Sequence, residues 1–273
     1  PRLDEKIRRL FRLVLPAAFG AGATQVNLVV GLMLASLLPA GSVSYLFYAD
    51  RLNQLTVGVV GVAIATALLP TISAQLARGE TEAAIANQNR ALEFGLLLSL
   101  PAAAALIAVP FPLISILFER GEFDSATAHA TAAALLAYAI GLPGYVLARS
   151  LTPSFHARQD TATPVRLALV SIAINLGGGA LMMQWLGHVG LALATALAAL
   201  ANTLLLGLVL HRRGHWHADA RLKSRFWRIL AAALVMAGAL VAADRLLLPG
   251  WYAGGDILRV AALALLVGGG VAG

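Results

Sequence analysis

His188 to His211 reads HVGLALATALAALANTLLLGLVLH. The stretch carries no Asp, Glu, Lys or Arg, and it is long enough to cross a hydrocarbon core of about 30 Å, which takes roughly 20 apolar residues as a helix. Working outward, the same kind of run recurs over about 11–38, 43–75, 91–117, 125–155, 163–185, 226–247 and 255–273. The runs 43–75 and 125–155 are longer than a bilayer needs, so they are expected to tilt or project beyond it. The expected fold class is all-α, a polytopic membrane helix bundle of about eight transmembrane helices.

Composition agrees. Of the 273 residues 59% are hydrophobic and 12% charged, against about half and a quarter in soluble domains. One aqueous core does not hide that much apolar surface behind so few charges. The net charge of +7 does not point to nucleic acid, because the basic residues sit in short segments between apolar runs rather than along one stripe. The absence of Cys excludes disulfides and zinc-thiolate sites.

The connectors alternate in charge. With the amino end in the cytoplasm, fifteen of the 20 basic residues fall on the inner side, and Arg120, Arg245 and Arg259 fall outside. The positive-inside rule therefore predicts a cytoplasmic amino end and a multi-pass protein of the inner (plasma) membrane. The expected organisation is a basic cytoplasmic lead-in at 1–10, a six-helix lobe at 11–211, a basic cytoplasmic loop at 212–225 and a final helix pair at 226–273. Residues 81–90 read as a short surface helix leading into the run 91–117. From Pro1 in place of Met and the apolar end at Gly273, the chain is expected to be a piece of a longer one, with the last helix truncated.

Few residues in the spans carry chemistry. Ser44-Tyr-Leu-Phe-Tyr-Ala-Asp50-Arg51-Leu-Asn-Gln54 places two charges inside an apolar run, where a charge costs about 2.5 kcal/mol or more and usually faces a bundle interior or a wet cavity. Helical spacing puts Ser44, Tyr48, Arg51 and Gly58 near one face. Arg51 reads as an anion-binding group, since its planar fork suits phosphate oxygens, or as a cation reaching for the outer interface. Asp50 orients a neighbouring helix or works with Asn53 and Gln54. Gly141, Pro143 and Gly144 mark a gate or an idle kink. Arg149 either reaches the inner interface or lines the inner mouth of a cavity. Asp160 or Thr161 is placed to cap the run 163–185, and Asp124 or Ser125 the run 125–155. Gln25, Asn27, Asn175 and Asn202 read as interhelical glue. His211, His215 and His217 lack the carboxylate or thiol that completes a metal site, so no metal and no cofactor are expected. There is no nucleophile elbow, phosphate-binding glycine loop or acidic pair for enzyme chemistry.

The run Gly41-Ser-Val-Ser-Tyr-Leu-Phe-Tyr48-Ala-Asp-Arg51-Leu, continued by Gly58-Val-Val-Gly-Val-Ala-Ile-Ala-Thr-Ala-Leu-Leu-Pro70, resembles the MurJ (MviN) family of lipid II flippases. So do Leu117-Phe-Glu-Arg-Gly-Glu-Phe123, Ala137-Tyr-Ala-Ile-Gly-Leu-Pro-Gly144 and Pro153-Ser-Phe-His-Ala-Arg-Gln-Asp-Thr-Ala-Thr-Pro-Val165. The resemblance implies a fourteen-helix transporter of the multidrug/oligosaccharidyl-lipid/polysaccharide exporter superfamily, of which this chain holds the second six-helix lobe and the two extra helices. It implies lipid II, an undecaprenyl-pyrophosphate-linked precursor, as substrate, with membrane lipid and the missing amino-terminal lobe as partners. It also implies roles: Arg51, with Asp50, Tyr48 and Arg149, as substrate-binding, and the final helix pair as a groove for the lipid tail. Some members are thought to bind sodium among the helices matching 11–38, 163–185 and 188–211, but here those helices offer amides and no carboxylate. The competing readings are another exporter of the same fold, a membrane-bound enzyme of polyprenyl-phosphate metabolism, and a structural subunit. A drug exporter is expected to show a carboxylate or aromatic cavity, and an enzyme a cluster of acidic or His groups at one face.

Overall fold

The computed structural model describes Gly22 and residues 25–246. Among them are eight helices and no strand: α1 Gln25–Ser36, α2 Ser42–Ala77, α3 Thr81–Ala108, α4 Pro110–Phe118, α5 Ser125–His156, α6 Ala162–Leu186, α7 His188–Arg212 and α8 Ala220–Leu246. The lead-in 1–10, the start of the first apolar run, Arg259 and the run 255–273 lie outside the described residues. Helices α3, α5, α6, α7 and α8 are each long and apolar enough to cross a membrane. α2 has 36 residues, about 54 Å of helix, and so exceeds the hydrocarbon core as its length predicted.

α5 is the central element, packed against α2, α3, α4 and α7, while α6 lies on α7 and α8 on α3. Its inward positions are mostly small: Ala128, Ala132, Ala139, Gly141 and Gly144 are all buried. Hydrophobic exclusion does not drive helices together in lipid, so close van der Waals approach must do so, and small residues allow it. The approach is extreme along the α5–α7 seam. A Cβ on Gly141 would stand 2.6 Å from the Cα of Ala196, and one on Gly144 would stand 2.9 Å from the backbone nitrogen of Leu200. Pro143 leaves α5 unbroken. Thr203 of α7 instead donates its hydroxyl to the Gly144 carbonyl at 2.5 Å. α6 buries only Gly179 and exposes Leu169, Val170, Ile174, Leu181 and Trp185, as a lipid-facing helix does.

Three boundaries differ from the sequence reading. Residues 81–90 are not a separate surface helix, because α3 runs unbroken from Thr81. The break comes later, at Val109 with φ −132° and ψ 50°, where Pro110 denies its predecessor the helical conformation and then starts α4. The loop expected over 212–225 is shorter, since α8 begins at Ala220, where Asp219 Oδ1 accepts from the backbone N–H of Leu222 at 2.7 Å.

An aromatic clasp holds one end of the bundle and a polar one the other. At the end where α2 begins, the Tyr48 ring packs against Phe118 at 5.0 Å and Phe123 at 5.3 Å, tying α2 to the α4–α5 turn. At the opposite end, the buried Glu93 carboxylate of α3 meets Arg90, Arg221 at 3.2 Å and Arg225 at 3.0 Å. Arg90 also pairs with Asp219. Asn89 accepts from the Trp216 indole at 2.8 Å and donates to the His217 carbonyl at 3.0 Å. The α7–α8 loop and the start of α8 are therefore fastened to α3 rather than hinged freely.

Candidate functional site

Arg51 stands on an exposed stripe of α2 with Ser44, Phe47, Gln54 and Leu55, turned away from the buried side that carries Ala49, Asn53 and Val57. Its guanidinium lies over the Phe47 ring, 4.7 Å from the centroid, and makes no ion pair or hydrogen bond with the described residues. A cation–π contact of this kind contributes about 0.5–1 kcal/mol at an exposed site, and it leaves all five N–H donors free. Asp50 is half-buried and accepts from the Gln54 amide one turn on. The carboxylate is thus bound along its own helix while the neighbouring guanidinium faces outward.

Tyr48 is half-buried: its ring sits in the aromatic clasp with Phe118 and Phe123 and also meets Phe47, the ring beneath Arg51, at 5.9 Å. An i,i+3 position on a helix differs by about 60° from perfect alignment, and the apolar partners on α4 and in the α4–α5 turn decide which way the ring turns.

Arg149 lines a pocket of about 530 Å³. The walls come from α1, α2, α5, α6 and α7 and include Asn27, His156, Asn175, Thr195 and Asn202. Arg149 is exposed and has no hydrogen bond or ion pair with the described residues. Part of the wall is already satisfied. Asn175 donates to Asn27 Oδ1 at 3.1 Å, and Thr195 donates to Asn175 Oδ1 at 3.0 Å. These contacts link α1, α6 and α7 as interhelical amides do. The resemblance implied a sodium site among these three helices in some members. A hard cation takes several oxygen ligands, usually with a carboxylate among them. Here the side-chain oxygens are neutral, those of Asn27 and Asn175 already accept hydrogen bonds, and no carboxylate joins them, so these residues do not fit a cation. Among the described residues no group of His, Asp and Glu is arranged to hold a metal. His211, from the cluster at 211–217, contacts the Trp216 carbonyl at 3.3 Å.

The loops at the α3–α8 end set the local electrostatics. Burial raises the Asp160 pKa, but hydrogen bonds from Thr163 and Arg213 outweigh it and hold the carboxyl below its ordinary value. Arg213 reaches Asp160 at 2.6 Å, and Thr163 N–H donates to it at 2.9 Å, which makes Asp160 the cap expected for α6. Burial, then the Arg158 and Arg213 guanidiniums, lower the His215 pKa. Three residues of structural weight escaped the sequence reading. Gln88, fully buried, donates to the Ser150 carbonyl at 2.9 Å and accepts from the Ser154 hydroxyl at 2.5 Å. Glu93 gathers three arginines, and Phe47 underlies Arg51. A carboxylate and two amides spaced along α3 within a run of Ala and Leu were the available signal.

A family model described as lipid II flippase MurJ matches residues 1–261. A protein named probable lipid II flippase MurJ from Rhizobium meliloti is 44% identical over 250 residues, covering 91% of this chain and 46% of that protein. One of the same name from Vibrio cholerae is 34% identical over 270 residues, covering 98% and 51%. A solved lipid II flippase MurJ in an inward closed conformation superposes with TM-score 0.78 at 25% identity, covering 99% of this chain and 54% of that one. An outward-facing MATE transporter shares the fold, with TM-score 0.62 at 17% identity. The chain spans about half the length of the curated relatives it matches. The long apolar helices, the helix order and these matches together make it a multi-pass membrane protein, and the chain belongs to the MurJ lipid II flippase family.

Proposed function

We propose that this chain forms one half of an inner-membrane flippase that moves lipid II by alternating access, and that Arg51 holds the precursor's pyrophosphate. The observation that carries the reading is the Arg51 guanidinium on an exposed stripe of α2, with no ion pair or hydrogen bond among the described residues. The physical problem is a charged sugar-pyrophosphate head in a medium where an unpaired anion is prohibitively costly. A water-filled cavity lined by arginine replaces that cost with charge-assisted hydrogen bonds, while the polyprenyl tail stays in lipid. The exposed stripe of α2 is then the wall that this lobe presents to the other half of a protein of its relatives' length. Asp50 fixes the local geometry through Gln54, and Tyr48 holds the helix that carries Arg51 rather than touching substrate. Gly141 and Gly144 serve the switch by keeping α5 and α7 together as one body, with Pro143 between them inside the unbroken α5. The basic ends of α3, α5 and α8 face the cytoplasm in this reading, with the amino end inside, and no covalent chemistry is required of the protein.

The test is Arg51→Ala beside Arg51→Lys in the protein at its relatives' full length, read as rescue of cells depleted of their own flippase. Arg51→Ala is expected to abolish rescue and Arg51→Lys to restore it in part, since a lysine keeps the charge but not the fork. Normal growth with Arg51→Ala removes Arg51 from the mechanism.

A further inference from the structure

A guanidinium that receives an anion has two needs that conflict. Its long stem must be stilled, because ordering a rotamer-rich side chain on binding costs affinity. Its N–H donors must stay uncommitted. A carboxylate partner meets the first need and defeats the second, since it takes up both charge and donors. Arg51 is held in another way. Its guanidinium lies over the ring of Phe47, one turn back on α2, 4.7 Å from the centroid. An aromatic face attracts a cation through its quadrupole and offers no lone pair for the N–H groups to bond. The adjacent carboxylate, Asp50, is meanwhile turned onto the Gln54 amide. Phe47 is 53% exposed, so it adds little to the packed core.

The ring is itself held. Phe47 meets Tyr48 edge to face, with centroids 5.9 Å apart and planes at 83°. Tyr48 meets Phe118 at 5.0 Å and Phe123 at 5.3 Å, and those two meet each other at 6.0 Å. All these separations fall in the range of about 4.5–7 Å over which aromatic pairs attract. Four rings thus run without a gap from the cation to the α4–α5 turn. Two stretches of the sequence, Phe47-Tyr-Ala-Asp-Arg51 and Leu117-Phe-Glu-Arg-Gly-Glu-Phe123, supply its two ends. We propose that Phe47 is a positioning residue for Arg51, and that the ring chain through Tyr48 to Phe118 and Phe123 sets where the guanidinium stands.

This role rests on the flippase reading above, in which Arg51 takes the pyrophosphate, and it adds how one cation serves a cavity that fills and empties. Parked over the ring, Arg51 stays close to the stance in which it meets phosphoryl oxygens, and it returns there when they leave. The contact is not given up on binding, because the oxygens bond the N–H groups while the ring attracts the charge. Cation–π attraction also strengthens as water is excluded. The ring therefore offsets part of the cost of drying the guanidinium when the other half of the protein closes over the exposed stripe of α2.

The test titrates detergent-solubilised protein, at its relatives' full length, with lipid II and reads a double-mutant cycle. Phe47→Leu is expected to weaken binding about three- to tenfold, from the lost contact and the stem set free. Phe47→Trp supplies the best cation–π ring and is expected to keep the parent's affinity. In an Arg51→Gln background Phe47→Leu is expected to change nothing further. Phe123→Leu, at the far end of the chain, is expected to weaken binding about twofold, a fraction of one ring pair, and again only with Arg51 in place. Parent affinity in Phe47→Leu overturns the proposal. So does a loss undiminished in the Arg51→Gln background, which makes Phe47 a contact of the substrate or of the fold. Tryptophan no better than leucine overturns the cation–π contact, and Phe123→Leu without effect, or with one independent of Arg51, overturns the ring chain. The flippase reading is judged separately: Arg51→Gln weakening lipid II leaves it standing whatever Phe47 does, and Arg51→Gln without effect fells both. If Phe47→Leu does not elute as folded protein, Phe47→Met, unbranched and adaptable in packing, decides in its place.

Discussion

Replacing Gly141 by Val puts a number on the α5–α7 seam. The new Cβ would lie 2.6 Å from the Cα of Ala196, 2.8 Å from its Cβ and 3.0 Å from its carbonyl oxygen. Carbon atoms in contact sit about 3.5–4.0 Å apart, so the helices must part by about 1 Å before the two methyls of valine are accommodated. Two of the three opposing atoms are backbone and have no rotamer to change. Overpacking of this kind costs about 3 kcal/mol, and valine's better helix propensity than glycine's offsets less than 1 kcal/mol of it. The expected net loss is about 2–3 kcal/mol. For a chain of this length each kcal/mol moves the midpoint by about 2–4 °C, so the melting temperature should fall by roughly 5–10 °C.

The control is built into the same bundle. Gly177 of α6 has nothing within 4 Å of a Cβ, so Gly177→Val should melt within a degree or so of the parent. Thermal unfolding of the purified protein in detergent, followed by tryptophan fluorescence and by loss of the monodisperse elution peak, reads both variants. Gly141→Ala should fall between them, and adding Ala196→Gly should rescue it only in part, because the Cα and carbonyl contacts remain. Equal melting of Gly141→Val and Gly177→Val would refute the close approach of α5 and α7, and the rigid pairing argued from it.

Glu93→Gln keeps the shape of the buried side chain but removes the charge that Arg90, Arg221 and Arg225 share. A loss of about 1–3 kcal/mol, discounted for the half-exposed arginines, is expected in the same melting assay. Gln88→Leu strands the Ser150 carbonyl and the Ser154 hydroxyl, so it should cost about 1–3 kcal/mol despite adding apolar surface. Because folding lowers the pKa of both Asp160 and His215, the unfolded state binds protons more readily, and their contribution is present above the unfolded values and lost as pH falls through the folded ones. Protease sensitivity of the α7–α8 loop should therefore rise as pH drops below about 6.5, and His215→Gln should remove the upper part of that rise. Exchanging sodium for potassium at constant ionic strength should leave the melting temperature unchanged, since the Asn27, Asn175 and Thr195 side chains already satisfy one another.

Helix existence was legible because a run such as 188–211 has only one stable state in lipid, with every backbone group bonded within the segment. Ends set by local chemistry were legible too: Asp124 caps α5 and Asp160 caps α6. The start of α8 was not, because Arg221 and Arg225 read as loop charges until Glu93 of a distant helix is seen to face them. The unbroken α3 was missed for the same reason, since its polar first turns are helical through contacts of Gln88 and Asn89 with α5 and the α7–α8 loop. Arg51 stood out as a charge in an apolar run. The pocket at Arg149 did not, because five helices bring its walls together and no local pattern encodes their meeting.

The clasps suggest how such a lobe moves. Tyr48, Phe118 and Phe123 fix α2 to the α4–α5 turn at one end, and Glu93 and Asn89 fix α8 and its loop to α3 at the other. Between them the backbones of α5 and α7 touch without side chains to slide on. A body fastened at both ends and along its middle does not deform smoothly, since packed interiors resist compression. Under the alternating access proposed above, motion would then fall to the outer surfaces of such a unit, with the lobe rocking whole against its partner. A cross-link between α5 and α7, which the seam already holds together, should then leave transport intact, whereas one joining the exposed face of α2 to the opposite lobe should arrest it. Arrest by the α5–α7 cross-link would locate the motion inside the lobe and overturn the rigid-body account.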